Sequence, residues 1–311
     1  MSFFRYPGGK SKLRSEISRR LSERSFQKGF QYREPFFGGG SIGLQFLHDF
    51  SNIKNIWIND KDIGIACLWT SVIQYPEEFK TKIRSFTPKV SAFQNFKEEL
   101  LNITDAPQEK IVDIGFKKLA IHQISYSGLG TKSGGPLGGV EQKSNYKIDC
   151  RWSPEYICKK IDRIHAQLSS MKIQENRCTN LDYKELIADT SYNGLIYLDP
   201  PYYVKGNDLY QCGFTYMDHE RLAYKLKKTS HEWVLSYDDC DRIREIYDWA
   251  FIESVNVNYS ITSTKCEETG ERLSRTKPEL LICSKKTKEN IHADSTSRNE
   301  KDIDTGLHLF G

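Results

Sequence analysis

The sequence lacks several features that would place it in a specialised class of protein. Its apolar runs, such as Gly194–Leu198, are far shorter than the roughly 18 residues that span a bilayer, so we exclude a transmembrane helix. The first residues contain no apolar core followed by a small-residue cleavage site, so no secretion signal is expected. The eight cysteines form no C-x-x-C pair, and the histidines show no ligand spacing. We therefore expect reduced thiols, no metal site and a cytoplasmic location.

What remains is the composition of an ordinary folded protein. Hydrophobic residues make up 38% of the chain and charged residues 28%, which excludes a disordered or collagen-like protein. The 311 residues suffice for one large domain, or a large and a small one, with a core that needs no disulfides. A net charge of +4 permits a polyanionic partner but does not indicate one, because nucleic-acid affinity depends on local clusters of Lys and Arg.

The N-terminal part of the sequence predicts a strand, a glycine turn, a helix and a second strand. Aromatic-rich residues 30–37 lead into the glycines of the turn and the helix-like stretch 41–50, and the alternating run 55–60 ends at Asp60. Glycines at such a turn let the backbone approach a ligand, and an acid about 20 residues later can bind ribose hydroxyls. The spacing is typical of a nucleoside site, although the turn alone is also compatible with a tight turn that binds nothing.

A second motif directly follows the apolar run 193–198. It places a carboxylate at the carboxyl end of a predicted strand, where open α/β sheets bind ligands, and its two prolines leave nearby carbonyls unpaired. A carboxylate and a peptide carbonyl can accept both hydrogens of an exocyclic amine and so free the nitrogen lone pair for attack. An aromatic ring beside them can stack on the base. The predicted catalytic residues are Asp199, Pro200, Pro201 and Tyr202.

The remaining patterns place strands near both ends of the chain, around a helical insert. Residues 64–119 are mostly helical in pattern, and 125–151 are rich in glycine without an apolar period, which predicts a long loop. The other predicted elements are helices at 149–171 and 218–228 and strands at 193–198, 232–236, 251–258 and 279–283.

Five blocks of sequence occur in a fixed order along the chain: Pro7–Lys10, Glu34–Ser41, Asn59-Asp60, Asn180–Tyr183 and Asp199–Tyr202. Together they resemble the Dam-type, or alpha-class, family of DNA adenine-N6 methyltransferases over roughly residues 3–285. The stretches Phe214–Leu222, Trp233–Asp238 and Arg275–Ile282 also stand where the family has its later blocks.

The resemblance implies an α/β, Rossmann-like, S-adenosylmethionine-dependent methyltransferase fold with mainly parallel strands and one antiparallel edge. A mostly helical target-recognition domain would be inserted into it. The domains expected are a discontinuous catalytic domain of residues 1–65 and 173–285, a DNA-binding recognition domain of residues 66–172, and a polar C-terminal tail of residues 286–311.

The implied reaction is methyl transfer from S-adenosyl-L-methionine to the N6 amine of a flipped adenine at a specific site in duplex DNA. Tyr6 and Lys10 would lie near the methionine part of the cofactor, Asp60 would hold its ribose, and Asp182 with Tyr183 would meet its adenine. No metal is needed, because the sulfonium is already activated. The cofactor-binding residues implied are Tyr6, Lys10, Glu34, Pro35, Phe36, Gly38, Gly40, Asp60, Asp182, Tyr183 and Asp199.

The implied partner is double-stranded DNA, and residues of the glycine-rich segment would bind its phosphates. Residues 127–139 differ there from the GATC-methylating members, so GATC specificity is not carried over. A bacterial or phage-encoded protein of this kind would act on the nucleoid as a monomer or weak dimer, with a cognate restriction endonuclease if it serves a restriction–modification system. The candidate DNA-binding residues are Lys132, Lys143, Lys147 and Arg151.

Two other functions are compatible with parts of the sequence. An RNA base methyltransferase can also use a D-P-P-Y motif, but the insert and the order of the blocks argue against it. A DNA-binding protein that has lost catalysis is disfavoured because both Asp199–Tyr202 and the glycine turn are intact.

Overall fold

The computed structural model describes residues 3–10, 12–23, 30–50, 53, 55–169, 178–203, 212–259 and 275–284. The predicted tail 286–311 and the predicted domain boundary at 172–173 lie outside these residues. The described residues include one mixed sheet whose strands lie in the order β3-β2-β1-β4-β5-β7-β6. The strands are β1 (Gln31–Glu34), β2 (Ile56–Asn59), β3 (Cys178–Thr179), β4 (Gly194–Leu198), β5 (Glu232–Asp238), β6 (Phe251–Tyr259) and β7 (Arg275–Cys283).

The sheet is parallel from β3 to β5 and antiparallel around β7, as the resemblance implies. β1 pairs in parallel with β2 on one side and with β4 on the other, so the direction of chain progression reverses between β1 and β4. Ligands of open α/β sheets bind in the crevice outside the carboxyl ends of the strands at such a reversal. All residues of β4 are buried, which fits a parallel strand covered on both faces. The predicted α/β fold class is confirmed.

Helices pack against the sheet, and those that lie between β2 and β3 along the chain form a block of their own. In that block the closest packing joins the third helix to the sixth and the fourth to the seventh. The α-helices within the described ranges are α1 (Arg14–Ser22), α2 (Gly43–Asp49), α3 (Ile63–Gln74), α4 (Pro76–Ser85), α5 (Val90–Asn102), α6 (Ile111–Ile124), α7 (Pro154–Ser169), α8 (Tyr183–Ala188), α9 (Tyr216–Lys228) and α10 (Asp241–Ile246).

Local sequence explains where several helices begin. Asp62 accepts the backbone N–H of Ile65 and so caps α3, and Pro76 opens α4 at a position where a missing N–H costs nothing. Thr215 and Asp218 form a capping box at the start of α9. None of the helices in the described ranges is long and apolar enough to cross a membrane.

The main core connects the sheet to the helical block. It contains Ile58 from β2, Trp69 from α3 and Ile161 from α7, each buried. The side chains of α3 therefore pack against the end of the sheet that carries the glycine turn, and the helical block supports that turn directly.

Two segments have more ordered structure than the sequence pattern predicts. The glycine-rich segment 125–151 contains no long helix or strand, as predicted, but internal contacts stabilise it. Gly130 donates its N–H to Ser125 Oγ at 2.9 Å, and Ser125 forms an isolated antiparallel β-bridge with Pro136. β7 begins at Arg275, whereas the apolar run predicted a strand that starts at 279. Among the described strands, β6 alone pairs with β7 before residue 279, so Pro278 lies at a local edge where its missing donor is tolerated.

Candidate active site

A cavity of about 330 Å³ opens at the carboxyl ends of β1 and β4, where the sheet reverses direction. This volume lies in the range of small-molecule sites, which is about 300–1,000 Å³. Most of the residues predicted to bind a cofactor line it: Tyr6, Glu34, Pro35, Phe36, Gly38, Asp60, Asp182, Tyr183 and Asp199.

The glycine turn after β1 has a geometry that only glycine satisfies. Gly38 has φ +46, and a Cβ atom on it would lie 2.5 Å from the ring of Tyr6. Its N–H donates to Asp60 Oδ2 at 2.8 Å, and its carbonyl accepts from Trp69 Nε1 at 2.8 Å. Gly40 also has a positive φ, but it faces Trp69 and does not line the cavity. The N-terminal block and the glycine turn are therefore in direct contact.

Asp60 lies between this turn and the start of α3. Its Oδ1 accepts the N–H of Asp62 at 2.9 Å, while Oδ2 holds Gly38. Burial raises the pKa of Asp60 to about 7, and the carboxylate of Asp62 adds to the rise. A carboxyl group that titrates near neutrality therefore borders the cavity.

Asn59 holds three loops of the site together. Its Nδ2 donates to the carbonyls of Pro35 and Leu181, each at 3.1 Å, and its Oδ1 accepts the N–H of Leu181 at 2.8 Å. Asn180 donates in turn to the carbonyl of Asp60 at 2.8 Å. Residues that are far apart along the chain thus join in one hydrogen-bonded network beside the cavity.

An aromatic wall closes one side of the cavity. The rings of Phe36, Tyr183 and Phe214 lie 5.5–5.6 Å from one another. Asp182 beside them caps α8 by accepting the N–H of Lys184 at 3.1 Å. Flat apolar faces next to an acceptor suit a purine ring.

Glu34, the last residue of β1, also lines the cavity. Glu34 is 2% exposed and accepts the hydroxyl of Tyr32 at 2.7 Å. Burial raises the pKa of Glu34 well above its usual range, and the Tyr32 hydrogen bond opposes that rise.

Asp199 directly follows β4, and one of its two carboxylate oxygens has two polar partners. Oδ1 accepts Ser236 Oγ at 2.9 Å and pairs with Lys10 Nζ at 3.0 Å. Among the described residues, no hydrogen bond reaches Oδ2. Burial raises the pKa of Asp199, while the Lys10 ammonium and the Ser236 hydroxyl oppose the rise.

Lys10 is 4% exposed and contacts the predicted catalytic residues. Its ammonium donates to the carbonyl of Gly8 at 2.7 Å and lies 4.4 Å from the centre of the Tyr202 ring. Pro201 lines the cavity next to Asp199, and Pro200 is buried beside it. The structure therefore brings Lys10, Asp199 and Tyr202 together.

The predicted DNA-binding residues are all exposed on the glycine-rich segment. Lys143 forms an ion pair with Glu141 at 2.6 Å, and Lys147 donates to the carbonyl of Gln142 at 2.5 Å. Arg5, which sequence reasoning did not assign, lies near Arg151. Burial lowers the pKa of Arg5, and the charge of Arg151 lowers it further, while the Arg5 guanidinium donates to the carbonyl of Ser125 at 3.5 Å.

Sequence reasoning also missed Phe214 and Ser236. Both fall in stretches that share the family resemblance, but a single phenylalanine in a loop or a serine inside an apolar strand carries no spacing signal of its own. Ser236 is fully buried, and a hydroxyl in such a strand is the only local sign that it serves the site.

A family model described as D12 class N6 adenine-specific DNA methyltransferase matches residues 6–261. The chain belongs to this family. The match includes Tyr6, the glycine turn, Asp60 and Asp199–Tyr202, and it confirms the resemblance seen in the sequence. The protein is thus an enzyme of the adenine-specific DNA methyltransferase class, and it acts on DNA. None of the curated proteins matches the chain.

Proposed function

We propose that this methyltransferase transfers the methyl group of S-adenosyl-L-methionine to the N6 amine of adenine at a specific site in duplex DNA. The observation that carries the proposal is the position of Asp199. Its carboxylate borders the same cavity as the glycine turn and Asp60, and one of its oxygens is already held by Lys10 and Ser236. A cofactor site and an amine-accepting site therefore meet at one point.

The residues around the cavity fit S-adenosylmethionine group by group. The wall of Phe36, Tyr183 and Phe214 suits the adenine ring, and the carboxylate of Asp60 suits the ribose hydroxyls. Glu34 is a buried carboxyl group that lines the cavity, and its oxygens can accept a hydrogen bond from an ammonium group. The close contact of Tyr6 with Gly38 leaves no room for a side chain at the turn, so the backbone itself forms that wall. When bound, the cofactor supplies an electrophilic methyl group on a sulfonium.

Asp199 prepares the target amine for attack. Oδ2 can accept one N–H of the amine, and the carbonyl of the adjoining proline segment can accept the other. Both acceptors favour a tetrahedral nitrogen whose lone pair is no longer delocalised into the base. Lys10 favours the ionised form of Asp199, which burial alone would disfavour. Tyr202 provides a ring on which the base stacks.

The target adenine has to leave the helix to reach this recessed site, at a cost of a few kcal/mol. Stacking on Tyr202 offsets part of that cost. The glycine-rich segment carries the exposed cations Lys132, Lys147 and Arg151, and Arg5 contacts the segment at Ser125; these positive charges suit the DNA phosphates. We infer that this segment determines which sequence is methylated.

The test is a methylation assay with radiolabelled S-adenosylmethionine, using duplex DNA of all short contexts and, separately, total RNA, followed by nucleoside mass analysis. N6-methyladenine confined to one DNA context would support the proposal and give the site. Label in RNA alone would favour an RNA base methyltransferase, and no label in either would favour a binding protein without catalysis.

Asp199→Ala tests the role of the carboxylate in the same assay. We expect methyl transfer to fall by orders of magnitude while cofactor binding stays nearly intact. Asp105→Ala, which removes an exposed carboxylate of the helical block, is the matched control and should keep full activity. Equal loss of binding and transfer in Asp199→Ala would contradict the assigned role.

A further inference from the structure

Tyr202 is held at its hydroxyl end by an acid that lies outside the residues matched by the family model. The phenol donates to Glu279 Oε2 at 2.6 Å. Glu279 belongs to β7, is 3% exposed, and comes after the end of the family match at residue 261. This distance lies at the short end of the usual range for O–H···O hydrogen bonds, which is about 2.5–3.0 Å.

The position of Glu279 follows from the register of the sheet. Glu279 is opposite Asp238 in the antiparallel pair of β5 and β7. Asp238 Oδ1 accepts the N–H of Tyr203 at 3.2 Å, so two neighbouring acids hold two consecutive residues after the prolines. The antiparallel strand thus fixes both the backbone and the ring of the segment that follows Asp199.

The Tyr202 ring is constrained at a second point by Lys10. The Lys10 ammonium lies 4.4 Å from the centre of the ring and 3.0 Å from Asp199 Oδ1. A ring fixed at its hydroxyl and contacted on its π system cannot rotate freely about its side-chain bonds. The plane of the ring is therefore set relative to the carboxylate of Asp199.

We propose that Glu279 is a positioning residue: through the Tyr202 hydroxyl it sets the plane on which the target adenine stacks, so that the N6 amine meets Asp199. This inference rests on the proposed function. Its physical basis is that a small misplacement of a reacting group can cost about 10²-fold in rate. Glu279 itself need not touch the base.

The test compares single-turnover methyl transfer, cofactor affinity and thermal stability in five variants of the full chain. They are Glu279→Ala, Glu279→Gln, Tyr202→Phe, the double variant Tyr202→Phe with Glu279→Ala, and the control Glu253→Gln. DNA that lacks N6-methyladenine and contains many contexts serves as substrate. Glu253 is a carboxylate of the neighbouring strand β6 whose partner is Arg20, away from the cavity, so its loss should leave the rate unchanged.

We expect Glu279→Ala to lower the rate about 10²-fold while cofactor affinity changes less than about twofold. Glu279→Gln keeps an acceptor for the phenol and should restore most of the rate. In the Tyr202→Phe background, Glu279→Ala should cost less than about threefold more, because the hydroxyl through which it acts is already gone.

Three results would overturn the inference. They are a full rate in Glu279→Ala, an equal cost of Glu279→Ala with and without the Tyr202 hydroxyl, and a fall in rate that only follows a fall in cofactor affinity or stability. If the unaltered protein methylates no nucleic acid, the proposed function fails and this role fails with it. An active protein whose Glu279→Ala variant is equally active refutes the role of Glu279 alone.

Discussion

Lys10→Met removes the ammonium beside Asp199 and keeps a side chain of similar length. The two charged atoms are 3.0 Å apart, and Lys10 is 4% exposed. At an effective dielectric constant of about 20, unit charges at that distance attract each other by roughly 5 kcal/mol. Part of this energy offsets the cost of burying the two ions. If only about 1.4 kcal/mol remains as a preference for the ionised carboxylate, its loss changes the ionisation equilibrium of Asp199 about tenfold.

The direction of the effect follows from the protonation state that the reaction needs. In the proposed reaction the ionised form of Asp199 accepts the amine, so we expect the rate to fall as the pH drops through the pKa of this carboxyl group. Burial raises the pKa of Asp199, and Lys10 provides the largest opposing effect. Without Lys10 the pKa rises further, and the acid limb of the rate profile moves to higher pH. The variant should therefore begin to lose rate at a higher pH than the unaltered protein does, and it should recover on the alkaline side of that limb.

The assay is single-turnover methyl transfer at saturating cofactor and DNA, measured across a range of pH values from acid to alkaline. Lys12→Met, which removes an exposed lysine two residues further along, is the matched control and should show the unaltered profile. An acid limb at the same pH in Lys10→Met and in the unaltered protein would refute the reasoning. So would a loss of rate that is the same at every pH.

Two further predictions concern the cofactor site. Because the pKa of Asp60 is about 7, cofactor affinity measured by calorimetry should rise as the pH is raised through that value. Asp60→Asn should bind the cofactor more weakly and show no such rise. A constant affinity in the unaltered protein would contradict this prediction. Gly38→Ala should destabilise the protein by about 1–3 kcal/mol in thermal unfolding and weaken cofactor binding, because φ is +46 and the new Cβ would meet Tyr6. Gly134→Ala, whose Cβ would contact nothing within 4 Å, should do neither, and equal effects would refute the argument.

Some parts of the site that the structure assembles could be predicted because their signals are local. A buried strand that ends in an acid and two prolines is visible in consecutive residues, as is a turn that needs glycine. The strands themselves were predicted to within a few residues where apolar runs were continuous, as in β4, and poorly where a neighbour decided the boundary, as in β7. The two-residue strand β3 was missed because it has no periodicity to detect.

The sequence alone indicated the two motifs around the cavity, because backbone conformation at glycine and proline and burial of apolar runs are properties of neighbouring residues. The order of its motif blocks indicated the family by resemblance, and the family implied the fold class. Only the tertiary structure decided what surrounds Asp199 and Tyr202. Lys10 approaches from the N-terminal block, Ser236 from β5, and Glu279 from a strand 77 residues beyond the ring it holds. These contacts depend on sheet order and register, which bring together residues whose separation along the chain carries no pattern.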